Sequence, residues 1–272
     1  MKIAVVAPGR ELNLEAAEAV QAIVAARGDA ELIIHQQCFS NAGHFAGPDD
    51  ERLAALREVM ADPGIDAVWF ARGGYGANRI AEAAARDLPA AALGKSIMGY
   101  SDGGFVLAAL DKAGLSVAHG PMVQDVLRDG GDAAIHRALD WLVRREASAL
   151  EPGLQPKQRA MAFNLTVLSN LLGTAIEPDF AGADLLIEDV AAYEYCIDRM
   201  MFHVTGSANV RRCRSLRMGR MSEIPANDPV FGSDPQSIVR DWCARSGIAF
   251  GGPADIGHDA ANRVVPFALA RD

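Results

Sequence analysis

Residues 95–114 read KSIMGYSDGGFVLAALDKAG, and the parsing of this stretch decides the fold. KSIMGY is a short apolar run of the kind that forms a buried strand, whereas GGFVLAALDKAG places apolar residues at helical spacing up to Gly114. Ser101 and Asp102 stand at the joint, flanked by Gly99 and Gly103. A strand that turns directly into a helix is half of a βαβ crossover, so the neighbouring sequence should show the same alternation.

Upstream it does. KIAVVAP is a strand pattern, NLEAAEAVQAIVAARG a helix and AELIIH a second strand; DDERLAALREVMADPG, IDAVWFA and GANRIAEAAARDL then give helix, strand and helix. Short apolar strands alternating with helices predict a parallel sheet covered on both faces, an α/β domain of the flavodoxin/Rossmann-like kind. The pattern lapses at EASALEPGLQPKQRA, residues 146–160, where two prolines, a glycine and mixed charge read as a linker. This predicts an N-terminal domain over 1–145 and a second, smaller mixed α and β domain over 161–272. In the second domain NLTVLSNLLG, AYEYCIDRMMFHVTG and PQSIVRDWCARSG read as helices, and DLLIEDV, SLRMGRM and the terminal RVVPFALA as strands.

At 272 residues the chain is long enough for two modest domains with substantial cores, and with 50% hydrophobic and 22% charged residues it has ordinary globular composition. A net charge of −9 and a pI near 5.2 supply no electrostatic footprint for a phosphate backbone or an anionic membrane. Arg211, Arg212, Arg214, Arg217 and Arg220 form a local basic run that reads as a solvated face. Neither nucleic acid nor membrane is expected as a partner. The start MKIAVVAPGRELN lacks the hydrophobic length of a signal peptide, and no apolar run approaches the roughly 20 residues that span a bilayer, which predicts a cytoplasmic protein. The cysteines, Cys38, Cys196, Cys213 and Cys243, include no C-x-x-C pair, so neither a structural metal nor a disulfide is expected.

In open parallel sheets, reactive groups collect in the turns at the carboxyl ends of strands. ARGGYGANR carries Gly73, Gly74 and Gly76 ahead of a helix, where free N–H groups can hold an anion or oxyanion, yet alone it fits neither the phosphate-loop nor the dinucleotide pattern. Gly99-Tyr100-Ser101-Asp102-Gly103 satisfies G-x-S-x-G, a strand-turn-helix elbow that exposes a serine hydroxyl, with the Asp102 N–H beside it as an oxyanion donor. Ser101 and Asp102 are equally good helix N-caps, since both residue types favour that position.

A serine nucleophile requires a base, and the base an orienting acid. His35 and His136 lie in or beside apolar-periodic segments, His44 in a loop, and His203 on a helix with a Met and Phe stripe. His119 in AHGPM and His258 in ADIGHDAANRVVP occupy polar loops and are the two candidates for the base. For the acid, DLLIEDV ends in Glu188 and Asp189, carboxylates that are costly at the end of an apolar strand unless paired or functional. Adjacent strand residues face opposite sides, so one can reach a site while the other serves structure. The order serine, acid, histidine also fits an α/β-hydrolase.

The block FAGPDDERLAALREVMADPGIDAVWFARGGYGANRI, followed by GYSD, AHGPM, LLIEDV, IDRM and GHDAANRVVP, resembles in order the LD-carboxypeptidase (muramoyl-tetrapeptide carboxypeptidase) family of serine peptidases across most of the chain. The resemblance implies Ser101 as nucleophile, Glu188 as orienting acid and His258 as base. It implies an oxyanion hole at the Gly74 and Asp102 amides and moves His119 into a supporting position behind the site. It further implies acyl transfer that releases terminal D-alanine from murein tetrapeptide in cell-wall recycling, without metal or organic cofactor, in a homodimer whose site forms where the two domains meet. Arg72, Gly73 and Tyr75 of the RGGYG turn are the expected substrate contacts, with Arg72 and the turn's backbone as partners for the terminal carboxylate. The competing readings are a related serine peptidase acting on a microcin-type peptidyl-nucleotide or another peptide, and a non-catalytic peptide-binding domain. Ala162 and Phe163 stand where the family has two glycines before Asn164, and Phe163 is the position from which the substrate cleft would be narrowed or reshaped.

Overall fold

The computed structural model describes residues 1–267. The first stretch alternates as the apolar pattern requires: β1 (Lys2–Val6), α1 (Leu14–Arg27), β2 (Glu31–Ile34), α2 (Asp49–Ala61), β3 (Ala67–Phe70), α3 (Ala77–Ala84), β4 (Ser96–Gly99), α4 (Gly104–Lys112), β5 (Ser116–His119) and α5 (Gly131–Arg144). After these come β6 (Ala160–Asn164), α6 (Leu165–Leu171), β7 (Asp184–Val190), α7 (Glu194–Gly206), β8 (Ser215–Ser222), α8 (Pro235–Ser246), β9 (Phe250–Pro253) and β10 (Val265–Pro266). Of the terminal strand read over RVVPFALA, Val265 and Pro266 form β10, and residues 268–270 lie outside the described residues.

The larger sheet has the order β10-β5-β4-β3-β1-β2, parallel except for the edge strand β10, which runs antiparallel to β5. Its parallel part has the 2-1-3-4-5 order of flavodoxin-like folds, with the reversal between β1 and β3, so the turns after those strands flank a natural ligand crevice. The smaller sheet, β6-β7-β8-β9, is parallel throughout.

Burial follows the strand period of two. Along β7, Leu185 and Ile187 point into the core shared with α4, α6 and α7, while Leu186 points to a second cluster with Ala160, Ala162, Ile256 and Val265. The shared core also takes in Phe70, Phe105 and Leu107 from the larger sheet's side, so the two sheets are joined by continuous apolar packing. Phe163 belongs to that core. Its ring centroid lies 5.1 Å from Phe267 and 6.4 Å from Phe180, and the strand period turns it away from any cleft. The expected reshaping of the cleft by Phe163 therefore has no structural counterpart; the ring fills space behind α4, where it faces Gly104.

The run from Arg211 to Arg220 is laced with ion pairs. Arg212 pairs with Asp179, Arg214 with Asp184, Arg217 with Glu151 and Arg220 with both Asp255 and Asp259. Arg211, Arg212 and Arg214 are exposed, as a solvated face requires, while Arg217 and Arg220 are half-buried, and nearby carboxylates offset the charge of every member of the run but Arg211 among the described residues.

Candidate active site

Ser101 follows β4 and opens the 3-10 turn Ser101–Gly103 that leads into α4. Its φ of 55° lies in the left-handed region, a conformation that costs a residue bearing a Cβ about 1–2 kcal/mol. Strain at such a joint is characteristic of functional turns. The glycines around it serve different purposes. A Cβ on Gly99 or Gly103 would collide with the Phe70 ring, so these two let the turn close down on β3. A Cβ on Gly73 would stand 2.9 Å from both Cβ and Oγ of Ser101, so Gly73 is what leaves the hydroxyl open.

His258, in the loop after β9, reaches Ser101 from the other side. Its Nε2 lies 2.9 Å from Ser101 Oγ, and its Nδ1 lies 2.6 Å from Glu188 Oε2. A carboxylate can only accept, so Nδ1 carries the proton, and in the neutral ring Nε2 presents its lone pair to the serine hydroxyl. Glu188 is fully buried on β7, on the face that Leu186 shares with Ile256, and this alternation is what brings it under the His258 loop. Burial drives the Glu188 carboxyl above its ordinary value, with the His258 ring pulling the other way. Burial also works against protonation of His258, but the charge of Glu188 and its hydrogen bond together outweigh it and hold the imidazole above its ordinary value.

Asp189 points to the opposite face. Its Oδ2 accepts from Thr166 N at 3.0 Å and Thr166 Oγ1 at 2.9 Å, and its Oδ1 accepts from Asn164 Nδ2 at 2.9 Å. The adjacent carboxylates therefore divide between site and scaffold. His119 is buried, donates from Nε2 to Asn262 Oδ1 across 3.0 Å and packs on Tyr100. Burial lowers it to about 4, so it stays neutral in the wall behind His258. Tyr100 joins the two histidines, its ring 4.9 Å from His258 and 5.3 Å from His119.

The residues expected to stabilise an oxyanion lie beside Ser101. Gly74 has φ 103°, available to glycine alone among common residues, and its amide donates to no acceptor among the described residues. Asp102 N–H belongs to the first turn after Ser101, where helix amides lack internal partners. The Asp102 side chain plays a different part, accepting from Ala77 N at 2.8 Å and fixing the start of α3 under the glycine turn. Burial pushes its carboxyl up to about 6 against the pull of the amides it accepts from.

Similarity to known proteins follows the same two-part organisation. The N-terminal domain of LD-carboxypeptidases matches residues 3–120, and their C-terminal domain matches residues 159–270. A Synechocystis sp. protein that bears a carboxypeptidase name is 31% identical over 240 residues, covering 87% of this chain and 79% of its own. The chain belongs to the LD-carboxypeptidase family. The murein tetrapeptide carboxypeptidase of Pseudomonas aeruginosa is 24% identical across 98% of this chain and 91% of its own. Among solved structures, the muramoyltetrapeptide carboxypeptidase of Oxalobacter formigenes superposes with a TM-score of 0.82 at 24% identity, covering 98% of this chain and 93% of that one. The microcin C7 self-immunity protein MccF, in complex with glutamyl sulfamoyl guanosine, gives 0.80 at 16% identity, with coverage of 98% and 91%. These two likenesses establish a shared fold.

In this member of the LD-carboxypeptidase family, Ser101 and Gly74 stand where two cavities meet. One, of about 620 Å³, runs past Tyr75, Asn78, Asn164, Thr166 and Asp189; the other, of about 300 Å³, is lined by Arg72, Gly73, Arg128 and His258. Tyr75 is half exposed at the rim, packed on His44 and Phe45. Arg72 directs Nη1 toward Glu11 O and Asn13 Oδ1, at 3.4 and 3.3 Å. Arg128, Asn164 and Thr166 carry no sequence signal as site residues. Arg128 lies in a short turn without apolar period, and Asn164 and Thr166 look like ordinary helix-start residues. Among the described residues there is no group of three or more His, Cys, Asp or Glu placed to hold a metal ion, and no helix long and apolar enough to cross a membrane.

Proposed function

We propose that the protein is a serine carboxypeptidase that releases the terminal D-alanine from murein tetrapeptide. The observation that carries this reading is the hydrogen-bonded line Glu188–His258–Ser101, which ends on a hydroxyl held open by a left-handed backbone at the junction of two cavities. His258 Nε2 takes the Ser101 proton as Oγ attacks the scissile carbonyl, and Glu188 holds the ring in the tautomer that permits it. The carbonyl oxygen becomes an oxyanion facing the Gly74 and Asp102 amides. His258 then gives its proton to the leaving amine, and water repeats the sequence to free the acyl group from Ser101. Arg72, Gly73 and Tyr75 frame the substrate, and His119 supports Tyr100 behind the base. The chemistry needs neither metal nor organic cofactor. The family resemblance extends the proposal to a homodimer acting in cytoplasmic recycling of cell wall.

The testing experiment is mass spectrometry of murein tetrapeptide after incubation with wild-type protein and Ser101→Ala. Loss of one alanine with wild type alone is the expected result. Equal loss with the variant would sink the serine mechanism. An intact tetrapeptide beside a cleaved peptidyl sulfamoyl nucleoside would move the substrate assignment to the class bound by the structural neighbour MccF.

A further inference from the structure

The two cavities at Ser101 differ in size, charge and access to the base, and these differences give the site a direction. Building on the carboxypeptidase reading, we propose that the smaller cavity is the leaving-group site and that Arg128 anchors the α-carboxylate of the departing residue there, while the larger cavity takes the acyl part of the peptide.

Three observations converge. The first is chemical: whatever leaves must accept a proton from His258, and His258 lines the smaller cavity and not the larger one. The second is charge. The larger cavity is lined by Glu82, Asp102 and Asp189 and by no lysine or arginine, whereas the smaller one sets Arg72 and Arg128 against the single carboxylate of Asp125. A C-terminal residue brings a carboxylate that has to be met by a cation once it leaves water. The third is volume. About 300 Å³ suits one amino acid, and about 620 Å³ suits the longer acyl portion.

Within the smaller cavity, Arg128 is the prepared cation. Its Nε donates to Asp125 Oδ1 at 2.8 Å, and Asp125 is itself buried and fixed by Tyr100 OH at 2.9 Å and by Met122 N at 2.8 Å. The guanidinium is thus held along its stem, with the Tyr100 hydroxyl beside it as a further partner, and among the described residues no carboxylate other than Asp125 pairs with it. That leaves the fork for a bidentate contact with a carboxylate. Tyr100 also packs on His258, so one buried cluster positions both the anchor and the base. Arg72 shares the wall, but its Nη1 is turned toward Glu11 and Asn13.

The test compares murein tetrapeptide with its C-terminal carboxamide, which differs only in the anchored charge. Wild type is expected to prefer the acid by about 10- to 100-fold in kcat/KM, the range for a charge-assisted contact. Arg128→Gln should cleave both at similar rates, and Arg128→Lys, which keeps a cation but loses the fork, should fall between. The ratio is taken on one preparation, so partial unfolding of a variant cancels. A wild-type preference retained in Arg128→Gln overturns the anchor assignment while leaving the carboxypeptidase reading intact. Failure of wild-type protein to cleave either peptide overturns that reading, and the assignment with it.

Discussion

Glu188 and His258 share a 2.6 Å hydrogen bond in which burial and charge oppose one another. The outcome at His258 is an imidazole held above its ordinary value of about 6.5. A base must be neutral to take the Ser101 proton, so kcat/KM should rise with pH, and the midpoint of that rise should lie above pH 6.5. In Glu188→Gln the charge that favours the imidazolium is gone while its burial remains, so the midpoint moves to lower pH. The amide can also donate to Nδ1 and favour the wrong tautomer, a change worth about 10⁴-fold in kcat in a comparable triad. A pH profile of both proteins measures the two effects together; an unshifted limb in the variant would show that Glu188 does not set the charge of His258. The residue types of this line are legible in sequence, because an elbow serine, a strand-end carboxylate and a loop histidine each violate the pattern around them. The choice between His119 and His258 is not. It depends on contacts 157 and 70 residues apart, which no local pattern carries. Arg128 is invisible for a similar reason: its role comes from a buried Asp125 bonded to Tyr100, 25 positions away.

At the level of elements, the site is built from strand ends and helix starts whose side chains brace one another. Asp102 holds the first turn of α3, and Asp189 with Asn164 closes the start of α6, where Asn164 Oδ1 accepts from Val167 N at 3.1 Å. Both carboxylates replace amide partners that a helix start cannot find internally. Asp189→Asn keeps the volume but must turn an NH₂ toward one of the donors that the carboxylate now accepts from. A loss of about 1–3 kcal/mol in urea unfolding is expected, the range for a buried group left unsatisfied. Its effect on turnover should be at least tenfold smaller than that of Glu188→Gln; equal losses would mean that the two neighbours do not divide between scaffold and chemistry. The alternation of strand and helix that builds the larger sheet is readable because parallel strands buried on both faces are nearly continuous apolar runs. β6 escapes such a reading, since AMAFN is short and merges into the helix that follows. α5 also escapes it despite an amphipathic pattern, and β10 is two residues that pair with β5 only after the chain has crossed the smaller sheet.

Across the whole molecule, the serine comes from one sheet and its two partners from the other, so activity depends on how firmly the sheets are held together. Apolar packing through α4 is continuous between them, and a polar tie lies beside the site. Glu151, in the stretch between α5 and β6, is buried and accepts from Arg217 on β8 in a bidentate pair of 2.6 and 2.8 Å. Its oxygens also accept from Gly153 N at 2.9 Å and from Asp255 N at 3.1 Å, three residues before His258. Leu150 bridges to Val264 next to this pair, which brings the strand-β10 end of the chain into the same tie. Such a pair adds little over a well-packed apolar replacement, yet removing one partner leaves a buried charge without its counter-ion. Arg217→Met should therefore cost about 3–5 kcal/mol in urea unfolding, and the double variant Glu151→Gln with Arg217→Met should recover most of it. Because Asp255 leads directly into the His258 loop, the single variant should also lose turnover in its folded fraction, and the double variant should regain part of that as well. If the double variant is as unstable as the single one, the cost comes from lost packing around Arg217, and the ion pair does not hold the His258 loop in place.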